Sequence, residues 1–290
     1  MLGKLLKYDL KYVYKYWWIG AIASFLMSIF GGVCFNVLIQ YMVKAFGAME
    51  NESDFDLTLL LGLMAYAGMM TVYLAFWAFS LLTSILIYVR FYKNFFSDEG
   101  YLTFTLPVKI GTLLNSKIVS AVLLNLSYSA VIGINMATVF AIGLIGNWSE
   151  IIPALIKELP SLIPELFGEF GVYLIIYPTE IILIGLLSTI VSYLFTYCCI
   201  TLASVITKKA RVITSIGIYY VATSIVSTVY YAIFRFGFSS VALWLAQNSW
   251  GEIKLAIAVI MLVVVLFVAI LCSILYVLQY WMIDRKLNMA

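Results

Sequence analysis

Side chains able to do chemistry are scarce in this chain. Histidine is absent from the 290 residues, and charged residues make up only 11% of them. Asp98 and Glu99 stand side by side, followed at once by Gly100, with Pro107 and Lys109 a few residues on. Paired acids of this kind suit the first turn of a short helix, where they complement the positive end of its dipole, with Ser97 as the cap. Glu180 is an acid inside a long apolar stretch, two residues after Pro178. An intramembrane acid is a functional candidate by default, here as a contact for a cationic solute or as part of an outer gate. The competing reading is a near-interface acid that fills a proline kink. Cys34, Cys198, Cys199 and Cys272 fall in apolar stretches without metal-ligand spacing and read as small packers. The phosphate-cradling pattern G-x-x-x-x-G-K-[ST] is absent, so no nucleotide loop is encoded.

The elements that must position these residues are dictated by composition. Hydrophobic residues are 64% of the sequence, and soluble domains carry about 25% charged residues, more than twice the share found here. The chain therefore reads as an all-α polytopic membrane protein, a single transmembrane domain over 1–290. Six stretches reach the roughly 20 residues that a spanning helix needs: 17–43, 57–89, 118–146, 172–207, 212–234 and 255–283. Their apolar runs are continuous rather than alternating, which argues for helices and against a barrel. The first is too long to be a removed signal peptide and is expected to stay in the membrane. With the N-terminus inside, the inner segments hold 13 of the 17 Lys and Arg residues. The positive-inside rule then makes both termini cytoplasmic.

At the start, Lys4, Lys7, Lys11 and Lys15 form one helical stripe, with Leu2, Leu6, Leu10 and Val13 on another face. This predicts a basic amphipathic helix over 1–16, lying on the cytoplasmic surface and turning into the first span. The second span exceeds the membrane thickness, so its end is expected to project and carry 94–106 as a short helix closed by Pro107. Tyr101, Leu102, Phe104 and Leu106 give that helix an apolar docking face. Along the first span, Gly20, Ser24, Ser28 and Gly32 recur every four residues. Such a ladder admits a second helix at close range, either a dimer partner or a neighbour within the chain. On the fifth span Ser224, Ser227 and Thr228, with Tyr220 and Tyr231, form a polar stripe, which either lines a path or bonds backbone carbonyls. Two outer segments stand out. Residues 150–170 read as an amphipathic segment broken into pieces by Pro153, Pro160 and Pro164. Residues 235–254 read as a re-entrant element bending at Gly237 and Ser239.

The run "SDEGYLTFTLPVKIGTLLNSK", an acidic-Gly-hydrophobic stretch before a proline with a basic residue opening the next span, resembles the cytoplasmic segment of ABC transporter permeases of the type-2 exporter class. Glu99, Gly100, Leu102, Leu106, Pro107 and Lys117 fill the corresponding places. The resemblance implies a permease subunit of the bacterial plasma membrane, and 94–106 as the coupling helix that docks on a separate ATPase through Asp98, Glu99, Gly100, Tyr101, Leu102, Phe104 and Leu106. It implies a second permease chain, identical or related, with the transport path between the halves. Gly20, Ser24, Ser28 and Gly32 become candidates for the seam, and Glu180, Ser224, Ser227 and Tyr231 for the path or gate. ATP and Mg would sit on the ATPase, with no cofactor or metal on this chain, no enzymatic site and no nucleic-acid partner.

The outer segments are acidic, with Glu50, Glu52, Asp54, Asp56, Glu150, Glu158, Glu165 and Glu169, which reads as solvated loops or, alternatively, as attraction for a cationic solute or peptide. With the small size of the permease this makes a peptide or an amphipathic toxin or drug the expected cargo. The alternatives are a secondary transporter and a non-transporting immunity or scaffold protein. A secondary transporter needs coupling groups, and Glu180 stands alone at membrane depth. Neither alternative would bring an ATPase with it on purification.

Overall fold

The structure is a computed structural model that describes residues 2–47, 55–97, 100, 105, 108–207, 210–247 and 249–286. The described residues are helical almost throughout: α1 (Leu2–Gly47), α2 (Phe55–Phe96), α3 (Ile110–Gly143), α4 (Trp148–Phe170), α5 (Tyr173–Ile206), α6 (Arg211–Gln247) and α7 (Trp250–Lys286). Six stretches are long and apolar enough to cross a membrane: Gly3–Met42, Leu59–Phe96, Ile110–Gly143, Tyr173–Ile206, Arg211–Ala232 and Gly251–Asp284. The chain is an all-α polytopic membrane protein. Helices are the form that a chain of this composition takes in lipid, because each satisfies its own backbone hydrogen bonds where no water can.

Two compact units divide the chain. One comprises Gly3–Arg90 and Leu123–Pro160, and so contains α1 with most of α2 and α3. Its core is a seam of small residues and large rings. Gly20 faces Phe79 and Leu82, Gly31 faces Val72, Gly32 faces Ile142, and Gly68 sits against Cys34. Trp17, 2% exposed, lies against Phe79 with ring centroids 5.4 Å apart, and its indole N–H donates to Thr83 Oγ1 at 3.1 Å. Buried indoles usually find such an acceptor. Asn135 Nδ2 donates to Ser24 Oγ at 3.0 Å, which in turn donates to the Ala21 carbonyl at 2.9 Å. Asn36 closes the end of α3, its amide donating to the carbonyls of Gly143 and Ile145, both at 2.9 Å.

The expected turn between a surface helix at 1–16 and the first span is absent, because α1 runs unbroken from Leu2. Neither proline nor glycine interrupts residues 4–19, and the inward face of this stretch is anchored. Asp9 is buried and paired with Arg90 of α2 at 3.0 Å, and the Tyr14 hydroxyl is 2.6 Å from Ser127 Oγ of α3. The four lysines form the exposed stripe that their spacing predicts.

The second unit comprises Phe91–Val122 and the chain from Ser161 onward, so it holds the end of α2, the start of α3 and α5, α6 and α7. Burial concentrates where these meet: Phe91, Phe95, Leu113, Leu114, Leu194, Tyr197 and Ile283 are all 2% exposed or less. Gln279 of α7, fully buried, donates to Thr201 of α5 at 2.8 Å. In contrast, no residue in the most apolar window of α6 is buried.

Two expectations about the outer segments are corrected. Residues 150–170 lie in a single helix, α4, despite three prolines. At about 100° per residue, Pro153, Pro160 and Pro164 fall within about 40° of one another. Each removes one amide donor and leaves one carbonyl free, and on one flank these carbonyls can turn outward together, so the helix continues through all three. Likewise α6 remains helical through Gly237 and Ser239 to Gln247, so the expected bend is not made. Turns are made instead at Gly146 and Gly171, whose positive φ values of 98° and 53° bracket α4.

Candidate functional site

Between α2 and α3 lies an elbow of which Ser97, Gly100, Thr105, Val108 and Lys109 are described, Gly100 and Thr105 as helical. It is built on the last turn of α2. Phe91 stacks flat on Tyr197 of α5, with ring centroids 3.9 Å apart and an interplanar angle of 10°. Phe95 lies 4.9 Å from Phe91 and is 1% exposed. Arg211, the first residue of α6, donates from Nη1 to the Phe96 carbonyl at 2.9 Å. The last carbonyls of a helix have no intrahelical donor, so this guanidinium caps α2 from another helix.

The Gly100 amide donates to the Ser97 carbonyl at 2.7 Å. A Cβ on Gly100 would stand 2.9 Å from the Phe95 carbonyl oxygen and 3.0 Å from its carbon. Both are backbone atoms that cannot swing away, so the position requires glycine. The Ser97 hydroxyl donates backwards to the Lys93 carbonyl at 2.5 Å and serves the end of α2; the first turn that it was expected to cap, with Asp98 and Glu99, lies outside the described residues. Beyond the elbow, Asn115 Oδ1 accepts from the Tyr276 hydroxyl of α7 at 2.9 Å. Ser116 and Lys117 are buried, and Lys117 is engaged by other groups. Both ends of the elbow are thus set into the second unit.

Of the residues expected to dock a partner here, Gly100 alone is described; Asp98, Glu99, Tyr101, Leu102, Phe104 and Leu106 lie outside the described residues. The ladder Gly20, Ser24, Ser28 and Gly32 is taken up inside the chain. Gly20 meets α2, Gly32 meets α3, Ser24 is bonded to Asn135, and Ser28 is fully buried with its hydroxyl on the Phe25 carbonyl. Of the two readings open from sequence, packing within the chain describes these four residues. On α6, Ser224, Ser227 and Tyr231 are exposed, and the two serine hydroxyls return to backbone carbonyls of their own helix at 2.8 and 3.0 Å.

Glu180 is 9% exposed, and its Oε2 has no hydrogen-bond partner among the described residues. The neighbouring Tyr177 donates its hydroxyl to the Lys254 carbonyl of α7 at 2.9 Å, and its ring stacks with Tyr173 at 5.6 Å. The Lys254 ammonium donates to the Glu169 carbonyl and lies over the Phe170 ring. Nearby charge is therefore spent elsewhere.

Sequence reasoning missed four participants. Asp9 was hidden in a lysine-rich stripe, although its place opposite that stripe was a signal. Asn135 and Gln279 are lone amides in apolar helices, which usually bond across helices. Arg211 looked like one more basic residue of the loop.

This fold defines the chain as an all-α polytopic membrane protein. It matches no family model, no curated protein and no solved structure.

Proposed function

We propose that this chain is the permease subunit of an ATP-driven exporter of the ABC class, working as a pair of permease chains with a separate ATPase. Both termini and the elbow face the cytoplasm of a bacterial cell. Residues 94–106 dock on the ATPase, and hydrolysis there moves the elbow. The observation that carries the reading is the packing of Gly100 against the Phe95 carbonyl, in an elbow whose two ends are built into packed helices. A segment that only linked two spans would need neither a buried aromatic base nor an obligatory glycine. The cargo is a peptide or an amphipathic toxin or drug. A path contact at Glu180 fits a cationic one, because a buried carboxylate oxygen without a hydrogen-bond partner is satisfied by a passing positive charge.

A secondary transporter is the second reading, favoured by Glu180 as a coupling site, since its buried Oε2 has no hydrogen-bond partner among the described residues. Affinity purification of the chain from its native membrane separates the two. Recovery of an ATPase whose hydrolysis rises with cationic peptide, in vesicles containing both proteins, supports the first. Peptide uptake driven by a proton gradient without any ATPase would overturn it.

A further inference from the structure

The coupling reading sends motion of the elbow into α2 and α3, the helices that it joins. The packing reaches further. Phe91 is in face contact with Tyr197, which is 1% exposed and lies in the most densely buried run of α5, Tyr193–Ala203. Arg211 holds the Phe96 carbonyl, and its Nε is buried without a partner among the described residues. A guanidinium that gives up one of its donors for one carbonyl of a neighbouring helix is held by position, since burial of an unpaired donor is costly. Arg211 is also the first residue of α6, where a cation opposes the helix dipole. Helix stability therefore does not account for an arginine there, whereas the α2 carbonyl does. From Val212 to Ala232 α6 is little buried, so the bond from its first residue is one of few holds that the chain has on it, beside Thr207–Thr214 and Phe195–Tyr219.

We propose that Arg211 and Tyr197 are positioning residues that carry displacement of the elbow into α6 and α5. The elbow then acts on three helices beyond the two it connects: α5 through the Phe91–Tyr197 stack, α6 through the Arg211–Phe96 bond, and α7 through Tyr276 and Asn115. This deepens the coupling reading and rests on it for its role in export, but the mechanical link belongs to the chain alone.

The test uses the full chain in lipid nanodiscs, with hydrogen exchange read by mass spectrometry on peptides covering 211–220 and 197–206. Gly100→Ala pushes on the Phe95 carbonyl and should speed exchange in 211–220 about ten-fold, the effect of losing one charge-assisted bond. Arg211→Gln should do the same alone. The two changes together should do no more than either, because they break one link. Additive effects, or no response of 211–220 to Gly100→Ala, would sink the proposal. Tyr197→Phe keeps the stacked ring and should speed 197–206 less than Tyr197→Leu, which removes it. Equal behaviour of the two variants counts against the α5 arm and guards against simple misfolding. Failure to recover an ATPase would remove the export role and leave these exchange results standing, so the two failures are distinguishable.

Discussion

Arg90 Nε lies 3.0 Å from Asp9 Oδ1, and the same guanidinium sits over the ring of Tyr12, 4.6 Å from its centroid. The side chains are 17% and 4% exposed, so the pair is largely shielded from salt as well as from water. Removing one partner strands the other charge. Asp9→Asn or Arg90→Gln should lower the unfolding free energy by about 3 kcal/mol, and joining the two changes should recover part of that loss. Thermal unfolding in nanodiscs measures it. A pair that contributes little would show single-variant losses near zero.

Gly20 and Gly32 should be intolerant of side chains for reasons internal to one chain. A Cβ at Gly20 would stand 2.5 Å from Leu82 and 2.7 Å from Phe79, and one at Gly32 would stand 2.5 Å from Ile142. Overpacking of this kind costs about 1–3 kcal/mol. Gly20→Val and Gly32→Val should each lower the unfolding temperature by the same amount at every protein concentration. A loss that appears only at low concentration would instead place these glycines in a dimer seam.

Gly100→Ala should leave the spans folded yet reduce recovery of the partner ATPase, because the added methyl meets backbone at Phe95. Gly185→Ala is the control. Nothing lies within 4 Å of its Cβ position, and alanine there gains about 1 kcal/mol of helix propensity. Co-purification yields set against unfolding temperatures for both variants check the prediction. Equal ATPase recovery from the parent and Gly100→Ala would remove the elbow from the docking surface.

Glu180→Gln keeps volume and removes the charge from a carboxylate whose Oε2 has no hydrogen-bond partner among the described residues. Its unfolding temperature should not fall. If the carboxylate meets a cationic cargo, cargo-stimulated hydrolysis should drop about 10- to 100-fold, the value of a lost charge-assisted bond. We expect that drop, since an acid that only filled the Pro178 kink would be using its oxygens there, and Oε2 is unpartnered. Turnover equal to the parent would show that Glu180 is no cargo contact.

What the sequence determined by itself follows from solvent. A run of apolar residues long enough to cross lipid has one stable backbone form, so the six spans were legible one at a time, within a few residues at most ends. The exposed lysine stripe of α1 was legible for the same reason, since periodicity fixes which residues share a face. The elbow was legible as an interruption of apolar sequence by two acids, a glycine, a proline and lysines. Tertiary structure decided the rest, because it concerns partners distant in the chain. Asp9 and Arg90 are 81 residues apart and Arg211 and Phe96 are 115 apart, and no local pattern announces such a pair. The Gly20–Gly32 ladder could serve any helix that fitted, and only packing showed α2 and α3 filling it. The three prolines of α4 read as breaks one by one, but their shared flank lets one continuous helix absorb them. Period and hydropathy are properties of one segment in its solvent, whereas a cap, a stack or an ion pair exists only once two segments have met.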